Sequence, residues 1–156
     1  MIKRELYMSR IRPFIGGELI KVVTGIRRSG KSVMLELVKQ ELLESGVGTE
    51  HFISINFEDM RYAHLCNAQS LHEEVLRLSS TIQGKVFLFF DEIQEVANWE
   101  KCINSLRVAL DCDIYITGSN AKLLSGELAT YLGGRYVEFV IYPFSFSEFL
   151  ELYLPI

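Results

Sequence analysis

The chain has 156 residues, 49% of them hydrophobic and 23% charged, which is enough apolar material for one globular core. Its longest apolar run, Val86 to Phe90, is far too short to span a bilayer, and Met1-Ile2-Lys3-Arg4-Glu5 lacks the apolar stretch of a secretory signal. A net charge of −4 goes with an uneven distribution: residues 1–31 hold eight of the sixteen Lys/Arg against two Glu, and the other 125 residues carry −10.

Cys66, Cys102 and Cys112 are an odd number without C-x-x-C spacing, a pattern that predicts reduced thiols in a cytoplasmic protein and neither a zinc site nor a disulfide framework. His51, His64 and His72 are scattered without ligand spacing.

Residues 1–18 read as a basic N-terminal segment. Lys3, Arg4, Arg10 and Arg12 are solvated there, or they meet an acidic partner or nucleic acid. No basic stripe interleaved with aromatics supports the nucleic-acid alternative. Leu19 to Thr24 then reads as a short strand running into Gly25-Ile26-Arg27-Arg28-Ser29-Gly30-Lys31-Ser32, which spells G-x-x-x-x-G-K-S. Glycines at both ends let the backbone wrap so that successive N–H groups converge on phosphate oxygens, and the N-terminus of the next helix adds its dipole. The backbone from Gly25 to Val33 forms this cradle, Lys31 reaches the β- and γ-phosphates, and the Ser32 hydroxyl ligates Mg²⁺. Arg27 and Arg28 raise the local positive potential or point to solvent.

The apolar spacing of Met34, Leu35, Leu37, Val38, Leu42 and Leu43 predicts a helix over 31–45, with Gly46 as its stop. Residues 51–57 alternate like a strand, and 58–68 read as loop. Ser70-x-x-Glu73 resembles a capping box opening a helix to about Ser80. Lys85 to Phe90 is a continuous apolar strand of the kind covered on both faces. It delivers Asp91 and Glu92 at its carboxyl end. Asp91 is the candidate Mg²⁺ ligand, and Glu92 the candidate to position or deprotonate an attacking water. Successive strand side chains point to opposite faces, so adjacent acids suit two jobs better than one clamp.

Asn98 is the expected cap of a helix over 99–110, and 113–117 form a fourth strand. Ser119 and Asn120, just after it, are both candidates to hydrogen-bond a γ-phosphate or the attacking water; a helix cap is the plainer alternative. A helix is expected from Ala121 to Leu132 and a fifth strand from Tyr136 to Ile141, with Ser145-x-x-Glu148 capping a final helix. Gly133-Gly134-Arg135 presents an arginine that either neutralises transition-state charge, in its own site or a neighbour's, or is an ordinary surface residue. Alternating strands and helices predict a parallel α/β sheet with helices on both faces, its ligand outside the carboxyl ends of the strands.

Taken together, GIRRSGKS, INFED (55–59), FDEIQEVANWEK (90–101), YITGSN (115–120), GRY (134–136) and YPFSFSEFL (142–150) resemble the AAA-type ATPases of bacteria and archaea whose loop reads G-I-R-R-x-G-K-S. The resemblance implies a three-layer P-loop core with a mostly parallel five-stranded sheet in the order 5-1-4-3-2, binding ATP and releasing ADP. It gives Lys31, Ser32, Asp91 and Glu92 the ATPase roles, and Ser119 or Asn120 the sensor role. Arg135 matches a motif arginine. The family continues into a C-terminal domain, so residues 1–156 are expected to be a single ATPase core without that part, serving a missing domain, a protein partner or a homo-oligomer. Eight apolar residues among the last thirteen fit an exposed patch awaiting such a partner. The expected activity is Mg²⁺-dependent ATP hydrolysis driving a conformational change. The alternatives are a nucleotide-gated binding module with negligible turnover and a P-loop small-molecule kinase.

Overall fold

In the computed structural model, five strands form one sheet: β1 (Ile20–Gly25), β2 (Phe52–Asn56), β3 (Val86–Asp91), β4 (Cys112–Gly118) and β5 (Tyr136–Ile141). Their order is β2-β3-β4-β1-β5 with every neighbouring pair parallel, which is the expected 5-1-4-3-2 counted from the other edge. The structure describes residues 2–26, 30–119, 123 and 128–142. Arg27, Arg28, Ser29, Asn120 and the expected helix from Ser145 lie outside the described residues.

Parallel neighbours cannot be joined by tight hairpins, so the chain crosses over between strands through helices. These are α2 (Lys31–Glu44), α3 (Ala68–Ser79), α4 (Trp99–Ala109) and α5 (Leu128–Leu132), preceded by α1 (Ile2–Ile11). The twofold alternation of β3 shows how the layers are filled. Phe87 and Phe89 pack with Tyr7 and Ile11 of α1 and Met34 and Val38 of α2. Leu88 and Phe90 pack with Leu71 of α3 and Ile103 of α4. Burying Phe89 and Phe90 completely stabilises the fold by about 1.5–3 kcal/mol each.

Several local expectations change. Residues 2–11, read as part of a basic segment, form a helix whose Tyr7, Met8 and Ile11 are buried. Arg12 is held by Glu5 and Glu41, which ties the end of α1 to α2. The cap of α3 is Asn67, whose side chain accepts from the Ser70 N–H at 2.9 Å, three residues before the expected box. Asn98 precedes α4 in the left-handed region (φ 58°), and its side chain makes no cap bond. Within 58–68, Met60–Leu65 winds into a 3-10 helix. The stop at Gly46 is as expected: at φ 102° it lets the Val47 N–H turn back to the Leu42 carbonyl.

A polar cluster lies inside the sheet face under α1 and α2. The Lys21 ammonium, on β1, donates to Asp113 on β4 and to the Gly17 carbonyl at 2.8 Å. Asp113 also accepts from the Tyr115 hydroxyl at 2.6 Å and from the Gly16 N–H at 2.7 Å. Burial holds the Lys21 pKa below the ordinary lysine value, against the pull of Asp113. The cluster pins the loop before β1 to the sheet.

Candidate functional site

The site forms where the carboxyl ends of β1, β3 and β4 meet the start of α2. Gly25 closes β1, and Gly30 turns the chain into α2 at φ 96°, a conformation glycine adopts without penalty. Lys31 and Ser32 are therefore the first two residues of the helix, where free N–H groups and the dipole favour an anion. Ile26 and Val33 flank them, 52% and 38% exposed.

Lys31 is buried, 6% exposed, and its ammonium folds back over the loop to donate to the Gly25 carbonyl at 3.0 Å. It also stands 3.4 Å from Glu92 Oε2. Ser32 Oγ donates to Asp91 Oδ2 at 2.5 Å. Two consecutive residues at the start of α2 thus meet two consecutive acids. Simple strand alternation would send those acids to opposite faces, but β3 ends at Asp91 and Glu92 takes φ 58°, ψ 53°. That left-handed turn costs a non-glycine residue about 1–2 kcal/mol and brings both carboxylates to one loop.

Thr117, near the end of β4, is a site residue the sequence reading passed over. Its hydroxyl donates to Asp91 Oδ1 and accepts from the Glu92 N–H at 2.9 Å. It is fully buried and fixes both acids at once. The one available signal was a hydroxyl near the carboxyl end of a mostly apolar strand that also carries Asp113 and Tyr115. Gln94 was also missed: its Nε2 donates to Glu92 Oε1 at 2.7 Å. A third pair, Thr24 Oγ1 on Glu138 Oε2 at 2.8 Å, joins β1 to β5 one residue before the loop.

Ser119 follows β4, and its carbonyl accepts from the Leu123 N–H at 3.0 Å, the backbone pattern of a starting helix turn. Arg135 is not brought to Lys31. Its carbonyl accepts from the Ile20 N–H at 3.0 Å, so it lies at the amino ends of β1 and β5, exposed. The length of β1, roughly 17 Å at 3.3 Å per residue, separates it from the loop of its own chain.

Ser32 Oγ and Asp91 Oδ2 are hard oxygen donors of the kind Mg²⁺ takes. Among the described residues, no group of three or more His, Cys, Asp or Glu could hold a metal unaided. A cleft of about 320 Å³, in which Val33, Leu35 and Ile55 stand with Glu36, Lys39 and Asn56, opens beside the pair.

Residues 17–150 match the AAA domain family, and the chain belongs to it. The fold and this match define an AAA-type P-loop ATPase core. An uncharacterised protein of Haemophilus influenzae is 47% identical over 151 residues, covering 97% of this chain and 38% of that protein. One from Methanocaldococcus jannaschii is 41% identical over 133 residues, covering 85% of this chain and 28% of that protein. The chain therefore spans well under half the length of either relative. Among solved structures, AMPPCP-bound DnaA from Aquifex aeolicus aligns over 94% of this chain and 48% of its own, with a TM-score of 0.62 at 15% identity. Drosophila ORC bound to AT-rich DNA and Cdc6 aligns over 100% of this chain and 64% of its own, with a TM-score of 0.55 at 9% identity. At these identities the likeness is one of fold. No described helix is long and apolar enough to cross a membrane.

Proposed function

We propose that the chain binds ATP on the Gly25–Val33 loop and hydrolyses it. The observation that carries this reading is the double pairing of Lys31 with Glu92 and Ser32 with Asp91. Backbone N–H groups of the loop hold the phosphates, and Lys31 exchanges Glu92 for β- and γ-phosphate oxygens. Ser32 and Asp91 hold Mg²⁺, which, when bound, neutralises charge building up on the phosphates. The Glu92 carboxylate, released from Lys31, takes a proton from water as the water oxygen bonds to the γ-phosphorus and the bridging bond to ADP breaks. Ser119 or Asn120 contacts the γ-phosphate.

Arg135, exposed at the opposite end of the sheet, serves a neighbouring copy's site in a homo-oligomer. The released energy moves a domain or protein partner outside these 156 residues, in the cytoplasm.

Phosphate release is measured for wild type and Glu92→Gln, with ATP affinity measured in parallel. The reading expects turnover lost and affinity kept. Tight binding without turnover in either protein points instead to a nucleotide-gated binding module, and ADP formed only with an added acceptor points to a kinase.

A further inference from the structure

Gln94 sits two residues beyond the candidate base, in a short 3-10 turn over Ile93–Glu95. Its side chain spans two parts of the site. The Nε2 end donates to Glu92 Oε1 at 2.7 Å. The Oε1 end is buried against the end of β4 and finds no hydrogen-bond partner among the described residues. The fit there is close: a methyl group on Gly118 would stand 2.5 Å from Gln94 Oε1 and would also collide with Leu123. Glycine at 118 is what admits the Gln94 amide between Glu92 and the turn leading to Ser119.

The two oxygens of the Glu92 carboxylate are therefore held by different donors. Oε2 faces the Lys31 ammonium at 3.4 Å, and Oε1 takes the Gln94 amide. The Glu92 backbone is fixed separately, through its N–H on the Thr117 hydroxyl. Phosphate oxygens compete with Glu92 for Lys31 at Oε2, while the charge-assisted bond from Gln94 is made to the other oxygen and does not depend on the ammonium. When Lys31 turns to phosphate, one carboxylate oxygen is released and the other stays anchored.

We propose that Gln94 is the positioning residue for Glu92. It holds Oε1 so that Oε2 alone is presented to water, and through Gly118 it ties that orientation to the turn after β4. A carboxylate anchored at one oxygen keeps its free lone pairs in one direction. An unanchored one rotates about its terminal bond and spends little time aligned with the water. This inference rests on the hydrolytic reading of the site, and it assigns Gln94 no contact with nucleotide.

The test pairs kinetics with a spectrum. Gln94→Leu keeps the side-chain volume and removes the amide. Turnover is expected to fall about ten- to a hundredfold, the scale of a misaligned catalytic group, with ATP affinity and thermal midpoint little changed. In a Glu92→Gln background the same substitution is expected to lower residual turnover no further. Unchanged turnover in the single variant, a parallel loss of affinity and stability, or an additive loss in the double variant overturns the proposal.

The Gln94 side-chain amide is followed independently in a ¹⁵N–¹H spectrum, assigned by its disappearance in Gln94→Leu. Its two protons are expected to be widely split in the wild-type chain, with one shifted downfield by the carboxylate, and to collapse together in Glu92→Ala. An amide unmoved by that substitution also overturns the proposal. If wild type releases no phosphate, the hydrolytic reading falls alone, because the spectrum still decides whether Gln94 holds Glu92.

Discussion

Ser32 Oγ and Asp91 Oδ2 are 2.5 Å apart although 59 positions of sequence separate them. The contact joins the first turn of α2 to the end of β3 and places a hydroxyl and a carboxylate where one cation can take both. Asp91→Asn keeps the size of the side chain and removes its charge. ATP affinity in Mg²⁺ is expected to drop roughly ten- to a hundredfold, the scale of one lost charged contact. In excess chelator the two proteins should bind alike. Calorimetry under both conditions checks this, and equal weakening in chelator would sink the metal assignment.

Thr117 holds the pair of acids from behind. Thr117→Val has the same shape but leaves Asp91 Oδ1 and the Glu92 N–H without their shared hydroxyl. The expected cost is about 1–3 kcal/mol, the penalty for stranding buried polar groups. Thr117→Ser should restore most of it. Urea unfolding of the three proteins provides the comparison.

Asp113 stands opposite a lysine buried within the sheet. Asp113→Ala leaves the Lys21 ammonium without its counter-charge, with the Gly17 carbonyl as its remaining hydrogen-bond acceptor, and a loss of about 3–5 kcal/mol is expected at neutral pH. Burial already lowers the folded pKa of Lys21, so the unfolded chain binds the proton more readily. Wild-type stability therefore rises with pH through the window between the lowered value and the ordinary lysine value. Losing Asp113 lowers the folded Lys21 pKa further still, so the defect of the variant should shrink as pH rises towards the wild-type value. A defect that stays constant across alkaline melts would contradict this account.

Arg12 clasps Glu41, and that hydrogen bond holds the Glu41 carboxyl below its usual range. The contribution is present above the ordinary glutamate pKa and is lost as pH falls through the depressed one. The pair is partly exposed, so solvent screening keeps the effect small. Glu41→Gln should melt slightly earlier than wild type at pH 7, and the gap should close in acid. Hydrogen exchange along α1 is the more sensitive readout, since the clasp anchors that helix.

Much of the sheet was legible because burial on both faces leaves an unmistakable run such as Val86 to Phe90, and because the loop motif fixes what must precede and follow it. Gly46 could be read for a similar reason, since the backbone demands a residue free to take positive φ. Other features depended on contacts distant in sequence. Tyr7, Met8 and Ile11 lie among charged residues, and only the fold, through α2 and the sheet face beneath it, gives them an apolar destination. Thr117 and Gln94 carry no pattern of their own, and their partners are set by the left-handed turn at Glu92. Asn67 outcompeted Ser70 as a cap because Asn67 has the extended backbone that lets its side chain reach an N–H three residues on. Arg135 was legible as a presented arginine, but its place at the far end of the sheet followed only from the pairing of β5 with β1.

The backbone at Glu92 has a consequence for how this sequence can drift. Asparagine and glycine tolerate φ 58° far better than glutamate, so Glu92→Asn should relieve part of the strain of about 1–2 kcal/mol while removing the carboxylate proposed to take the proton. Selection for a robust fold and selection for turnover therefore pull in opposite directions at this one position. A lineage released from the need to hydrolyse would be expected to lose its glutamate early and gain thermal tolerance as it did so.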